Sequence, residues 1–175
     1  VHRLDKVTSG VLLMAKTKEA NQQLSQQFAD RKVQKFYLAL SEQKPQKKMG
    51  QIIGDMVKTR GGSWKLTRSK NNPAKTQFLS SANPEGGRLF LLKPLTGKTH
   101  QLRVALKSLG SPILGDERYG GQTANRVHLH AYQLTFRWQN QDIIVTSMPD
   151  FAKQCIETMK PEWKSPGNIK FPGDQ

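Results

Sequence analysis

The chain has 175 residues and a formal net charge of +15, from 28 Lys and Arg against 13 Asp and Glu. That length supports one domain with its own core, and the charge excess repels itself unless a polyanion is the partner, with nucleic acid the first candidate. No apolar run approaches the ~20 residues of a spanning helix, no signal peptide is visible, and the lone Cys155 has no internal disulfide partner, so a membrane or disulfide-stapled class is set aside and a reducing, cytoplasmic setting is expected.

The chain opens on Val1-His2-Arg3-Leu4-Asp5-Lys6-Val7-Thr8-Ser9-Gly10, a polar loop holding an aspartate between two cations. The short apolar run Val11–Ala15 after Gly10 predicts a buried strand, which would hold Asp5 at its mouth. An isolated loop carboxylate is more often half of a surface ion pair. Thr17 then suits an N-cap with Glu19 in the first turn, and Ala20, Leu24 and Phe28 recur four apart as the buried stripe of a helix. Val33–Leu40 predicts a strand. Its period of two puts Val33, Lys35, Tyr37 and Ala39 on one face and Gln34, Phe36, Leu38 and Leu40 on the other.

Residues 44–75 form a basic block, with nine Lys or Arg against one acid, Asp55. It contains Ile, Met, Val, Trp and Leu, so it is expected to fold as hairpins, with Gln51–Gly54 and Trp64–Leu66 joined through Gly61-Gly62. A folded basic hairpin can track phosphates, with Lys65, Arg68 and Lys70 as the contacting cations. Residues 74–82 and 87–95 form an antiparallel pair around the turn Asn83–Gly87. Thr99 predicts the cap of a helix whose apolar stripe is Leu102, Leu106 and Leu109, whose polar face carries His100, Arg103 and Lys107, and which Gly110 ends.

A Gly- and Pro-punctuated loop follows over 111–121. Arg126–Phe136 predicts a long strand carrying His128 and His130 on one face. With no acid or cysteine cluster near them, hydrogen bonding suits them better than metal ligation, and no metal site is expected. Asn140 marks a hairpin turn and Asp142–Thr146 the returning strand. Asp150 would cap a last helix with Phe151, Cys155, Ile156 and Met159 inward. The segment from Pro161 to Gln175 holds three prolines and is expected as a surface strap or a disordered tail.

Three blocks carry a family resemblance. His2-Arg3-Leu4-Asp5 with Thr8-Ser9-Gly10 and an apolar run, then Lys35-x-Tyr37-x-Ala39, then Thr96-Gly97-Lys98-Thr99-His100-Gln101-Leu102-Arg103 resemble, in that order, the motifs of the RluA family of RNA pseudouridine synthases. The resemblance runs from Val1 to about Phe151. It implies an α+β fold, a pseudouridine synthase catalytic domain over 1–160 with a mostly antiparallel mixed sheet and a few helices, followed by a tail over 161–175. It further implies that the family's domain begins upstream of Val1, with strands that join the sheet.

The resemblance implies an isomerase acting on RNA, ribosomal or transfer, as a monomer and without a cofactor. It casts Asp5 as the catalytic carboxylate, Tyr37 as the contact to the target base and Arg103 as the partner of Asp5. A guanidinium beside the aspartate favours its ionised form, and the aspartate either attacks covalently or steers ribose proton loss. The uridine must leave its stack, and Arg3, with His2 beside it in the loop, could fill the space vacated. Two other readings compete: a non-catalytic RNA-binding protein on the same fold, and a nucleoside hydrolase or glycosidase, which would commonly use two carboxylates.

Overall fold

Alternating hydrophobicity lays out the sheet, and the way each strand is covered explains its composition. The computed structural model describes residues 1–84, 86–152 and 159–174. Its strands are β1 (Ser9–Gly10), β2 (Gln34–Ser41), β3 (Met49–Gly54), β4 (Met56–Lys58), β5 (Trp64–Leu66), β6 (Ala74–Ala82), β7 (Arg88–Pro94), β8 (Leu129–Trp138) and β9 (Gln141–Thr146). Two α-helices, α1 (Lys18–Ala29) and α2 (Gln101–Ser108), lie among them. Seven strands form one sheet in the order β1-β8-β2-β7-β6-β3, with β9 also paired to β8. The β1–β8 pair is parallel and every other pair in the sheet is antiparallel. This is the mixed, mostly antiparallel α+β sheet expected.

Strand β7 is central and covered on both faces, so Leu89–Leu92 reads as one continuous apolar run. Odd and even residues go to different cores. Phe90 and Leu92 join Ala39, Phe78 and Leu129 beneath Leu102, Ala105 and Leu106 of α2 and its C-cap Leu109. Leu89 and Leu91 join Phe36, Leu38, Leu40 and Tyr132 on the opposite face. A third cluster packs Leu24 of α1 against Val33, Leu134 and Phe136.

The opposite face is closed from the C-terminal side. Met159, Trp163 and Phe171 are buried in the cluster of Phe36 and Leu91. Asp174 anchors the segment, accepting from Lys93 Nζ at 3.1 Å and from Gln77 Nε2 at 2.7 Å. Of the two forms expected after Pro161, the described residues take that of a strap, with two aromatic rings driven into the core. The helix expected after Asp150 shows a 3-10 turn over Asp150–Ala152, and the remainder of that expectation, Cys155 and Ile156 included, lies outside the described residues.

Three local expectations need correction. Val11–Ala15 is not a buried strand: parallel pairing stops after Gly10, and Leu12 and Met14 are exposed. The physical reason is competition for one edge of β8. Val11 N still donates to Ala131 O at 2.9 Å, but Tyr132 O accepts from Ser147 N and β9 pairs from Gln133 onward. Second, Trp64–Leu66 pairs with Met56–Lys58 in a separate small sheet, while β3 pairs with β6. Third, Thr99 does not cap α2. His100 occupies the N-cap position in the left-handed region, φ 56°, and makes no capping hydrogen bond.

Other signals hold. Thr17 Oγ1 accepts from Ala20 N at 3.2 Å to cap α1. Gln139 and Asn140, both with positive φ, form the tight β8–β9 turn.

Candidate active site

Asp5 stands on a loop whose position is set by β1. Thr8 N donates to Asp5 O at 2.9 Å, closing a turn just before the strand. Ser9 and Gly10 then lock onto His130 and Ala131. Gly10 has φ 110°, and a Cβ there would lie 2.2 Å from Ala131 O, so only glycine lets the loop approach β8 this closely. Ser9 Oγ also pairs with His130 Nδ1 at 2.8 Å, and Ser147 O contacts His130 Nε2 at 2.9 Å. His128 Nδ1 lies 3.0 Å from Arg126 O. Both strand histidines are thus engaged in hydrogen bonds that fasten the loops around β8.

Tyr37 comes from the middle of β2. Phe36 faces Gln133 and Tyr37 faces Ala131, so Tyr132 is an extra residue on β8 at that point. Such a bulge re-aims the neighbouring side chains. Burial, and secondarily the charge of Asp5, push the Tyr37 phenol up to about 12. It is therefore a neutral ring with its proton in place at physiological pH.

Arg103 comes from the first turns of α2 and is buried, not on a solvated polar face as the helical pattern implied. Its Nη1 lies 3.8 Å from Asp5 Oδ2. Its stronger bonds go elsewhere: Nε donates to Asp116 Oδ2 at 2.8 Å and Nη2 to Asp116 Oδ1 at 2.7 Å. Burial disfavours the cation, yet the Asp116 hydrogen bonds and charge, with that of Asp5, raise its pKa above the ordinary arginine value. Asp116 itself is 1% exposed. Tyr119 lies with its ring 4.9 Å from the Arg103 guanidinium carbon. Its hydroxyl contacts His100 Nδ1 at 2.7 Å and accepts from Trp64 N at 3.1 Å.

Asp116, Tyr119 and His100 were missed as site residues in the sequence, although the loop carrying two of them was recognised as closing near the site. The available signal was Asp116 itself, a carboxylate set between the buried Ile113 and Tyr119.

Asp5, Tyr37, His100 and Arg103 line one cleft of about 570 Å³, which also takes in Arg3, His2 and Lys35, while Asp116 and Tyr119 stand behind Arg103. Asp5, Tyr37 and Arg103, far apart in sequence, meet there. His2 is used internally: its Nε2 accepts from Leu13 N at 2.8 Å and its ring stacks on Phe28 at 4.5 Å. Burial, then nearby positive charge including Lys35, lowers its pKa to about 4, so it brings no cation to the cleft at neutral pH. Lys65, Arg68 and Lys70 lie outside the cleft and are exposed. The acid of their block, Asp55, is a loop staple, accepting from Ser69 Oγ, Asn71 N and Asn72 N.

A loop carboxylate beside a fixed guanidinium, with a neutral phenol ring in the same cleft, has the chemistry of a nucleophile or a proton-directing group. Residues 1–108 match the family model for RNA pseudouridylate synthase. An uncharacterized RNA pseudouridine synthase of Haemophilus influenzae is 58% identical over 159 residues, 90% of this chain and 71% of that protein. A ribosomal large subunit pseudouridine synthase C of Rickettsia felis is 39% identical over 126 residues, covering 70% of this chain and 41% of its own length. Among solved structures, human RNA Pseudouridylate Synthase Domain Containing 1 superposes with a TM-score of 0.72 at 30% identity, over 86% of this chain and 68% of that one. The chain belongs to the RNA pseudouridylate synthase family, as its three motifs led us to expect. That family consists of isomerases that convert uridine in RNA to pseudouridine.

Proposed function

We propose that this chain carries the catalytic centre for isomerising uridine in ribosomal RNA, with Asp5 as the catalytic carboxylate, Arg103 as its partner and Tyr37 as the support of the target base. The observation that carries the reading is the approach of Arg103 Nη1 to Asp5 Oδ2, 3.8 Å, in the cleft that Tyr37 also lines. The relatives named as large-subunit ribosomal synthases favour ribosomal over transfer RNA as the substrate.

The chemistry asks little beyond these groups. The bond from ribose C1′ to N1 of uracil breaks, the base turns, and a bond from C1′ to C5 forms. The C5 proton is lost and N1 gains one, so the product is an isomer of the substrate. Asp5 acts at the ribose, and Arg103 sets a positive charge beside it. Tyr37, neutral at working pH, offers its ring face to the flipped uracil. Unstacking the uridine costs a few kcal/mol, recovered in cleft contacts. Arg3, two residues before Asp5, is placed to fill the vacated stack. Lys65, Arg68 and Lys70 supply backbone contacts away from the reacting atoms.

The test is incubation of the purified protein with large-subunit ribosomal RNA and, separately, with transfer RNA, followed by nucleoside analysis. Pseudouridine in ribosomal RNA supports the reading. Free uracil would instead mark a hydrolase, and an unmodified RNA that still binds would mark a non-catalytic binder.

A further inference from the structure

Lys35 presents an unanswered charge. Its amine is largely covered and lines the cleft, yet among the described residues no hydrogen bond or ion pair reaches it. Two neighbours locate it: the amine lies 3.9 Å from where a Cβ on Gly97 would stand, and its charge acts on His2. The charge that acts on it is another cation, Arg31. Burial lowers the pKa of Lys35, and Arg31 lowers it further. A desolvated ammonium with a second cation beside it is costly unless an anion completes the site.

Arg31 carries a cost of its own. It follows the C-cap Asp30 of α1 in the left-handed conformation, φ 58°, where glycine is the usual residue. A non-glycine residue there costs about 1–2 kcal/mol. The C-terminal end of α1 would favour a cation nearby, but it does not explain a half-buried amine on the next strand.

Three of the cleft's other cations have partners: Arg103 is held by Asp116, Lys93 by Asp174, and Lys98 Nζ donates to Asn72 Oδ1. Arg3 has none among the described residues, but it is exposed and keeps its water. Among the described residues the one acid lining the cleft is Asp5, which faces Arg103.

Resting on the isomerase reading above, we propose that Lys35 and Arg31 form a subsite for a phosphate of the flipped nucleotide. Lys35 lies two residues before Tyr37 on the same face of β2. With the uracil on Tyr37 and the ribose at Asp5, the adjoining phosphodiester reaches toward the Lys35 amine. The pair holds the nucleotide by its backbone while the base is free to turn, which the reaction requires.

The experiment is a methylphosphonate scan, in which one RNA linkage at a time is made neutral and its affinity for the protein measured. Wild-type protein should lose about tenfold in affinity when one of the two linkages flanking the target uridine is neutralised, a charge-assisted contact's share. Lys35→Met should lose about tenfold on unmodified RNA and almost nothing further when that linkage is neutral. Lys35→Arg should keep the coupling.

Three results would overturn the subsite: losses that multiply independently at both flanking linkages, coupling only at distant linkages, or normal binding by Lys35→Met. Should Lys35→Met fail to fold, the wild-type scan decides alone, and equal losses at every linkage contradict the proposal. Turnover is measured separately. Coupling without pseudouridine would sink the isomerase reading alone, and pseudouridine without coupling would sink the subsite alone.

Discussion

Arg103 gives the two bonds of its planar fork to Asp116 and only its outer Nη1, at 3.8 Å, to Asp5. Asp116 thus sets the plane of the guanidinium and leaves Asp5 without a bidentate partner, next to a positive charge. A bidentate grip on Asp5 itself would consume the lone pairs that the proposed role at the ribose uses.

Arg103→Lys keeps the charge but cannot bridge both Asp116 oxygens and still face Asp5. Turnover should fall about a hundredfold, the scale of a misplaced catalytic group, with RNA affinity nearly unchanged. Asp116→Asn removes one partner of a buried pair and should destabilise the fold by about 3 kcal/mol, read as a lower denaturation midpoint. If Arg103→Lys turned over like the wild type, charge alone would suffice and the fork geometry would be irrelevant.

Tyr37→Phe should bind RNA like the wild type, and Tyr37→Leu should lose about 1–3 kcal/mol of stacking. With its phenol pushed up to about 12, Tyr37 should contribute no limb to the rate profile between pH 6 and 9. An inactive Tyr37→Phe that binds normally would show that the hydroxyl takes part, most simply in removing the C5 proton.

His2 gives a pH dependence of known sign. Its pKa is about 4 in the folded chain against 6.5 ordinarily, so the unfolded chain takes up the proton first. Its contribution to stability is full above about pH 6.5 and is lost progressively toward pH 4, as protonation takes the Nε2 lone pair from Leu13 N. His2→Gln, which can still accept from Leu13, should lose less stability across that window. Identical pH profiles for the two proteins would contradict the assignment.

The legible parts of the molecule were those written in local pattern. Strand β2 showed its two faces because Phe36, Leu38 and Leu40 meet one core and Tyr37 and Ala39 another. Thr17 announced its helix because a side-chain cap is a local bond. The errors came where partners distant in sequence decide. Val11–Ala15 loses its place on β8 to β9, which arrives more than a hundred residues later. Arg103 looks like a solvated face until the 111–121 loop covers it with Asp116. Asp5, Tyr37 and Arg103 were identified through motif resemblance, since spacing along the chain says nothing of their meeting.

The exposed basic block should act on RNA generally. Replacing Lys65, Arg68 and Lys70 together with Gln should weaken cognate and scrambled RNA alike. Each lost contact to a single strand should reduce the slope of log affinity against log salt by about 0.7. An unchanged slope would mean that these side chains never touch the backbone.

The most direct test of the central claim is pseudouridine formation by Asp5→Asn beside the wild type on the same large-subunit ribosomal RNA, at protein in excess over RNA, with affinity measured in parallel. The substitution keeps the shape of the side chain and removes its charge and nucleophilicity. The account predicts no pseudouridine from Asp5→Asn at RNA affinity within a few fold of wild type. Pseudouridine formed by pure Asp5→Asn at the wild-type rate would contradict it.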